Sequence, residues 1–150
     1  MANTAGLTTS FKQDLLNGLH AFGTTVIRGA TTKDTFNFAL YQTSASIGPS
    51  TTAYTATGEV SSANYTAGGL AVTNATAPTT SGTTAYWTPS ANAAWTTVTF
   101  TTDCALLYNN TAAGKNSVGS YTFSTQTVTA GNFTLTMPVN AAATALIQIA

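Results

Sequence analysis

The sequence predicts a mainly β protein, an antiparallel β-sandwich or jelly-roll-like domain with one short N-terminal helix. Apolar residues recur with a period of two after residue 24, as they do in half-buried strands. Turn signals such as Gly68-Gly69 and Ala130-Gly131 separate these segments. Thr makes up about one residue in five, and its β-branched, hydroxylated side chain suits a pleated surface.

The helix is predicted within residues 10–22, where Phe11, Leu15, Leu19 and Phe22 fall on one face at helical spacing. Ser10 is a suitable N-cap residue. A helix of about three turns is marginal in water unless its apolar face is covered. We therefore divide the chain into an arm and helix, residues 1–23, and a β-sandwich domain, residues 24–150.

Eight strands are predicted in the β domain, and no helices alternate with them. The absence of crossover helices favours antiparallel sheets over a parallel one. The predicted strands span residues 35–42, 70–76, 83–88, 95–102, 105–109, 120–128, 132–137 and 144–149. The side chains expected to point inward are Phe36, Phe38, Leu40, Val98, Phe100, Phe123, Phe133 and Leu135.

Residues 43–69 form a long polar stretch without a clear strand pattern. We expect an extended surface loop, because long loops in compact domains are usually functional or disordered. Tyr54, Val60 and Tyr65 are spaced along it and can attach it to the sheet or to a neighbouring protein.

Charge is scarce, and this limits the possible functions. The net charge is zero, so the chain lacks the basic surface that binds a nucleic acid, and we expect no nucleic-acid partner. The sequence contains no apolar run long enough to predict a membrane span. Zero net charge favours association with other proteins. The eight charged residues are Lys12, Asp14, Arg28, Lys33, Asp34, Glu59, Asp103 and Lys115.

The sequence contains no catalytic, cofactor-binding or metal-binding motif. His20 and Cys104 are the single members of their types, so zinc-type spacings are absent. We interpret His20 as a surface or interface imidazole and Cys104 as a buried small apolar residue. Glu59 is expected to accept a hydrogen bond within its own segment or to pair with Arg28 or Lys115. We predict that the protein is not an enzyme and needs no cofactor.

Three aromatic residues, Tyr86, Trp87 and Trp95, leave a second class of function open. Exposed aromatic rings can stack on sugars, whereas in a β-sandwich they more often anchor a core or an interface. A carbohydrate-binding adhesion module is therefore an alternative to an assembly role.

Several segments of the chain resemble small virion structural proteins of tailed bacteriophages. The similarity covers most of the sequence and brings no catalytic residues with it. The segments that carry the resemblance are residues 10–23, 39–41, 54–60, 65–69, 125–138 and 145–150.

This resemblance implies a virion component that is assembled in the host cytoplasm. The first expectation is a capsid decoration or cement protein that contacts major capsid protein or other virion subunits, as a homo-oligomer, a trimer or a dimer. A neck, tail or fibre component is the alternative within the same class. The polar arm, residues 1–9, is expected to order on a partner. The predicted partner interface comprises Phe11, Leu15, Leu19, Phe22, Tyr54 and Tyr65.

Overall fold

The computed structural model describes residues 2–8, 11, 15, 19–24, 33–82 and 84–149, and these residues confirm a mainly β protein with antiparallel strand pairing. The predicted helix within residues 10–22 falls mostly outside the described residues, which contain no complete helix. The strands are β1 (Gly6–Leu7), β2 (Phe36–Tyr41), β3 (Leu70–Ala71), β4 (Thr79–Ser81), β5 (Thr84–Trp87), β6 (Ala93–Asn109), β7 (Ser117–Leu135) and β8 (Ile147–Ile149).

The strands form two sheets. The larger has five strands in the order β1-β7-β6-β2-β3, and the smaller has three in the order β4-β5-β8. The hairpin of β6 and β7 is the longest element. Strand β2 pairs with only part of β6, from Phe36 opposite Asn109 to Tyr41 opposite Cys104, and the hairpin continues beyond that part. The rest of β6 and β7 is therefore a two-stranded ribbon.

Two predicted chain breaks are β-bulges. The sequence predicts strand breaks near Asp103 in β6 and near Ala130-Gly131 in β7, but each strand continues through that position, where the register of the β6–β7 pair shifts. Ala130 has a φ of 46°, and Thr97 on the opposite strand has a φ of 53°. A bulge leaves the chain direction unchanged while it inserts an extra residue, so turn-forming residues occur inside these strands.

Strand β2 is buried on both of its faces. Phe36, Phe38 and Leu40 belong to one buried cluster, the main core, which also contains Trp87 and Ile147 of the smaller sheet. The intervening residues Ala39 and Tyr41 belong to a second core. The predicted alternation of side chains in β2 is correct for the face that points into the main core, but the opposite face is buried as well. The second core consists of Ala39, Tyr41, Ala45, Ile47, Cys104, Leu106 and Tyr108.

Most of the predicted inward-pointing side chains are buried in the main core. The confirmed residues are Phe36, Phe38, Leu40, Val98, Phe100 and Phe133. Phe123 and Leu135 are only partly buried and pack against the periphery of that core.

The long stretch 43–69 is a loop, as predicted, and it covers both faces of the larger sheet at the β2 end. Ala45 and Ile47 lie in the second core and Tyr54 packs against it, whereas Val60 and Tyr65 lie in the main core. The loop crosses from one face to the other beside β2, where Tyr41 and Glu59 form an isolated bridge.

The N-terminal arm is ordered on its own chain, which corrects the expectation that it orders on a partner. Gly6 and Leu7 form β1 and pair with Ser120 and Gly119 of β7. Asn3 donates hydrogen bonds from Nδ2 to Asp103 (2.8 Å) and to the Gln42 carbonyl (3.3 Å), and its Oδ1 accepts one from the amide of Ile47 (2.8 Å). The arm is stabilised by these hydrogen bonds and by Leu7, which packs against the main core.

We expect the substitution Phe38→Ala to lower the free energy of unfolding by about 3 to 5 kcal/mol, because Phe38 is fully buried and its removal leaves a cavity. Phe123→Ala, at the edge of the same core, is the matched control and should cost less. Urea denaturation measures both. A loss below roughly 1 kcal/mol for Phe38→Ala would contradict the assignment of this side chain to the core.

Candidate functional site

A concentrated polar arrangement surrounds the carboxylate of Glu59, a residue that is 9% exposed. Oε1 accepts hydrogen bonds from the Tyr65 hydroxyl (2.7 Å) and the Gly68 amide (2.8 Å). Oε2 accepts one from the Tyr54 hydroxyl (2.7 Å). Glu59 accepts hydrogen bonds, as predicted, but the donors lie outside its own segment: they are two tyrosine hydroxyls and the amide of Gly68.

The backbone near Gly68 holds this network against the sheet. The Gly68 carbonyl accepts hydrogen bonds from the Tyr108 hydroxyl (2.8 Å) and from Nδ2 of Asn37 (3.1 Å). The next residue, Gly69, has a φ of 71°, and a Cβ there would clash with the Phe38 carbonyl oxygen. The Gly68-Gly69 pair is therefore required for the loop to approach β2 this closely.

Lys115 contacts the ring of Tyr54 and is not seen paired with the carboxylate. Its Nζ lies 5.3 Å from the ring centroid, within the range of a cation–π interaction. Arg28, the other predicted ion-pair partner of Glu59, lies outside the described residues. Within the described residues, the carboxylate is thus stabilised by neutral donors, and each such hydrogen bond to a charged group contributes about 1.5 to 3 kcal/mol.

The tyrosines of this region are held in their neutral form. Burial raises the pKa of Tyr65 far above its ordinary value of 10.0, and the hydrogen bond to Glu59 adds to that effect. Burial also raises the pKa of Tyr41, whose hydroxyl donates to the Thr55 carbonyl (2.7 Å). Neutral hydroxyls can donate to the carboxylate and to the backbone. These hydrogen bonds are therefore suited to holding the loop 43–69 in place.

The other titratable groups are not gathered around Glu59. Asp103 accepts its hydrogen bond from Asn3, and burial raises the pKa of the Cys104 thiol to about 12.

His20 is buried, which corrects its interpretation as a surface or interface imidazole. Its ring packs against Phe11 (5.1 Å between centroids), and Asn109 Nδ2 lies 3.2 Å from its Nδ1. Among the described residues, no group of three or more His, Cys, Asp or Glu side chains is placed to hold a metal ion.

Half of the predicted partner interface lies inside the protein. Phe11, Phe22 and Tyr65 are 0%, 8% and 7% exposed and belong to the main core. Phe22 stacks on Phe36, with 4.6 Å between the ring centroids. These three side chains are covered by their own chain, since Phe11 packs on Phe22, Phe22 packs on Phe36, and Tyr65 packs on Trp95. The boundary at residue 23 therefore does not separate two packing units within the described residues.

The remaining members of the predicted interface are partly exposed. Leu15 packs on the edge of the main core, Leu19 is half-buried, and Tyr54 stacks on Tyr108 with 4.9 Å between ring centroids. Their role toward a partner stays a prediction.

The aromatic residues considered for glycan stacking do not form an exposed platform. Trp87 and Trp95 are 2% and 3% exposed. The indole N–H of Trp87 donates to the Thr76 carbonyl (2.8 Å), and Trp95 packs between Tyr65 and Phe133. Tyr86 is half-buried. The two indole rings act as core residues.

The ribbon of β6 and β7 presents a regular polar surface. Along β6 the exposed residues alternate with buried ones, and Thr101 forms a hydroxyl–hydroxyl hydrogen bond with Thr127 across the strands (3.0 Å). No charged residue occurs in residues 60–102 or 116–150, so this surface is rich in hydroxyl groups and free of charge over residues 93–102 and 117–135. The exposed ribbon residues of β6 are Ala94, Thr96, Thr97, Thr99 and Thr101.

Comparisons with known proteins identify no relative: no protein-family model, curated protein or solved structure matches this chain. In the described part of the chain, no helix has the length and apolar character needed to cross a membrane.

We expect Glu59→Gln to lower the free energy of unfolding by at least about 2 kcal/mol, because an amide cannot accept hydrogen bonds on both of its terminal atoms. Asp103→Asn is the matched control, since Asp103 accepts one side-chain hydrogen bond from Asn3. Urea denaturation followed by Trp fluorescence measures both variants. Equal effects of the two substitutions would show that the Glu59 network has no special importance.

Stability should fall as the pH rises above 10. The folded-state pKa of Tyr41 is raised above the ordinary 10.0, so the unfolded chain loses this proton first. Unfolding then releases a proton, and the free energy of unfolding decreases with pH from the unfolded toward the folded pKa. Tyr41→Phe should make the alkaline decline shallower in denaturation curves recorded across this range. An unchanged slope in Tyr41→Phe would contradict the expectation.

Proposed function

We propose that this protein is a structural subunit of a tailed-bacteriophage virion, specifically a capsid decoration protein that stabilises the shell by contacting major capsid subunits. The observation that carries the proposal is the uncharged, hydroxyl-rich surface of the β6–β7 ribbon. Threonine hydroxyls both donate and accept hydrogen bonds, and their burial avoids the large desolvation cost of charged groups. Such a surface suits an interface that is repeated many times in one particle.

The sequence resemblance to small virion proteins supports the same role. A structural role is also consistent with Glu59, the buried acid of the described residues, whose carboxylate oxygens already accept hydrogen bonds that fix a loop. We propose that the protein is assembled in the host cytoplasm and is present in the virion as a homo-oligomer, a trimer or a dimer.

We further infer that the two sheets pack as a β-sandwich. Trp87 and Ile147 of the smaller sheet share the main core with Phe36 and Phe38 of the larger one. This arrangement leaves the outer surface of the ribbon available for partners.

The ribbon replaces the N-terminal segment as our first choice of capsid contact. Phe11 and Phe22 are needed in the core, whereas Thr96, Thr97, Thr99 and Thr101 of the ribbon are exposed. The glycan-binding alternative is less well supported because the indole rings of Trp87 and Trp95 are covered.

The test compares phage particles with and without this subunit. We expect particles that lack it to disassemble at a lower temperature or in low salt, and purified protein added back should restore their stability. Thr96→Asp, which places a charge on the ribbon, should reduce incorporation into particles, whereas Thr80→Asp on the exposed strand β4 should not.

Two outcomes would redirect the proposal. A small copy number that follows the symmetry of the tail would indicate a neck, tail or fibre component. Particles that are stable and complete without the subunit but fail to adsorb to cells would indicate adhesion.

A further inference from the structure

The outer edge of β7 is open over most of its length. Strand β1 pairs with β7 at Gly119 and Ser120, and no described strand pairs with residues 121–135 on that side. An open edge presents main-chain N–H and C=O groups with which a strand of another molecule can pair. Charged residues and prolines usually discourage such pairing, and residues 117–135 contain neither. The edge of β7 therefore needs another form of protection.

The outer edge of β6, on the opposite side of the ribbon, is covered by side chains of the loop 43–69. Beyond the part of β6 that pairs with β2, Asn64 donates a hydrogen bond from Nδ2 to the Thr97 carbonyl (3.0 Å). The amide of Thr99 donates one to Oγ of Ser62 (2.9 Å). These bonds occupy main-chain groups that a further strand would use, so β6 is protected by its own chain.

The pairing of β6 with β7 is regular only in short segments. In the middle of the ribbon each strand has a bulge, at which two residues lie opposite one. The residues in these bulges are Thr96 and Thr97 in β6, and Thr129 and Ala130 in β7. The pairs that flank the bulges are Trp95 with Phe133, Val98 with Gly131, and Phe100 with Val128. A further register shift lies between Thr122 and Gln126. The open edge of β7 is thus divided into short regular segments, residues 126–128 and 131–135.

The packing of the core does not require these bulges. In β6, two consecutive exposed residues separate Trp95 from Val98, and both of these side chains are buried. Deletion of one exposed residue would leave a regular alternation with both side chains still facing the core. In β7, the exposed residues of the bulge likewise lie between Val128 and Phe133, which both pack in or against the main core.

Both bulges contain a left-handed backbone that is unfavourable for a residue with a Cβ atom. The φ angle is 53° at Thr97 and 46° at Ala130. Side chains of the opposite strand satisfy the two amides: Thr97 donates to Oδ1 of Asn132 (3.2 Å), and Ala130 donates to Oγ1 of Thr99 (2.9 Å). Backbone strain that is held in place in this way, without benefit to the core, points to a role outside folding.

We propose that the bulge at Thr129 and Ala130 prevents the outer edge of β7 from pairing with the same edge of a second copy. A strand adds to an edge through N–H and C=O groups at regular spacing, and an extra residue disturbs that spacing and bends the strand. Each segment that remains regular is no longer than an average strand. This role does not depend on the virion assignment, because it concerns the free chain.

Two single-residue deletions in the full chain test this proposal. Deletion of Ala130 removes the bulge of β7 and joins residues 126–135 into one regular edge. Deletion of Thr97 removes the bulge of β6 and leaves the edge of β7 interrupted, so it is the matched control. Ala130→Gly relieves the left-handed strain but keeps the bulge, and is the second control. Sedimentation over a range of concentrations measures association, and Trp fluorescence during urea denaturation measures folding.

We expect the chain without Ala130 to fold and to associate through the two β7 edges, so that its mass rises at least about twofold above that of the unmodified chain. The chain without Thr97 and the Ala130→Gly variant should sediment like the unmodified chain. Adding Thr134→Lys, at an exposed position of β7, to the chain without Ala130 should abolish the extra association, because lysines on an edge strand oppose pairing. Raising the salt concentration should partly restore it.

Three results would overturn the proposal. In the first, the chain without Ala130 folds but sediments like the unmodified chain. In the second, deletion of Thr97 causes the same association as deletion of Ala130. In the third, the chain does not fold after deletion of Ala130 or of Thr129, the other residue of the same bulge, which would show that the core needs the bulge. The particle experiment decides the virion assignment separately.

Discussion

The burial of β2 on both faces is the constraint on which the rest of this structure depends. A six-residue strand with Phe36, Phe38 and Leu40 on one side and Ala39 and Tyr41 on the other needs a layer on each face. The smaller sheet contributes Trp87 and Ile147 to the main core. On the other face, the described covering residues outside the sheet come from the loop 43–69, so this loop replaces a further layer of secondary structure.

A loop can take that place because hydrogen bonds hold it in position, and three of them converge on the carboxylate of Glu59. Glu59 lies where the loop passes β2 and receives hydrogen bonds from Tyr54, Tyr65 and Gly68, on both sides of it in sequence. The tyrosine rings also pack into or against the two cores, so the same residues contribute apolar burial and hydrogen bonds. Desolvation of the carboxylate is offset by hydrogen bonds from neutral donors.

The scarcity of charge has a consequence for the ribbon. Edge strands usually avoid unwanted pairing through charged residues, prolines or bulges, and the outer edge of β7 has no charge and no proline over residues 117–135. Its register shifts, together with the left-handed backbone at Thr97 and Ala130, interrupt the regular ladder. Bulges thus provide the protection that charges provide elsewhere, and they leave a surface of hydroxyls and amides for assembly.

The sequence by itself determined the β class, strand β2 and part of the main core, because period-two alternation and side-chain apolarity are local properties. It also determined the lack of charge on the ribbon. Only the tertiary structure decided that Phe11, His20 and Phe22 are covered by their own chain, because an apolar stripe is the same whether it faces its own sheet or a partner. Likewise, Glu59 was one isolated acid in the sequence, and only folding brought Tyr54, Tyr65 and Gly68 around it. The two bulges could not be distinguished from turns, since the same residues permit both conformations and long-range strand pairing selects between them.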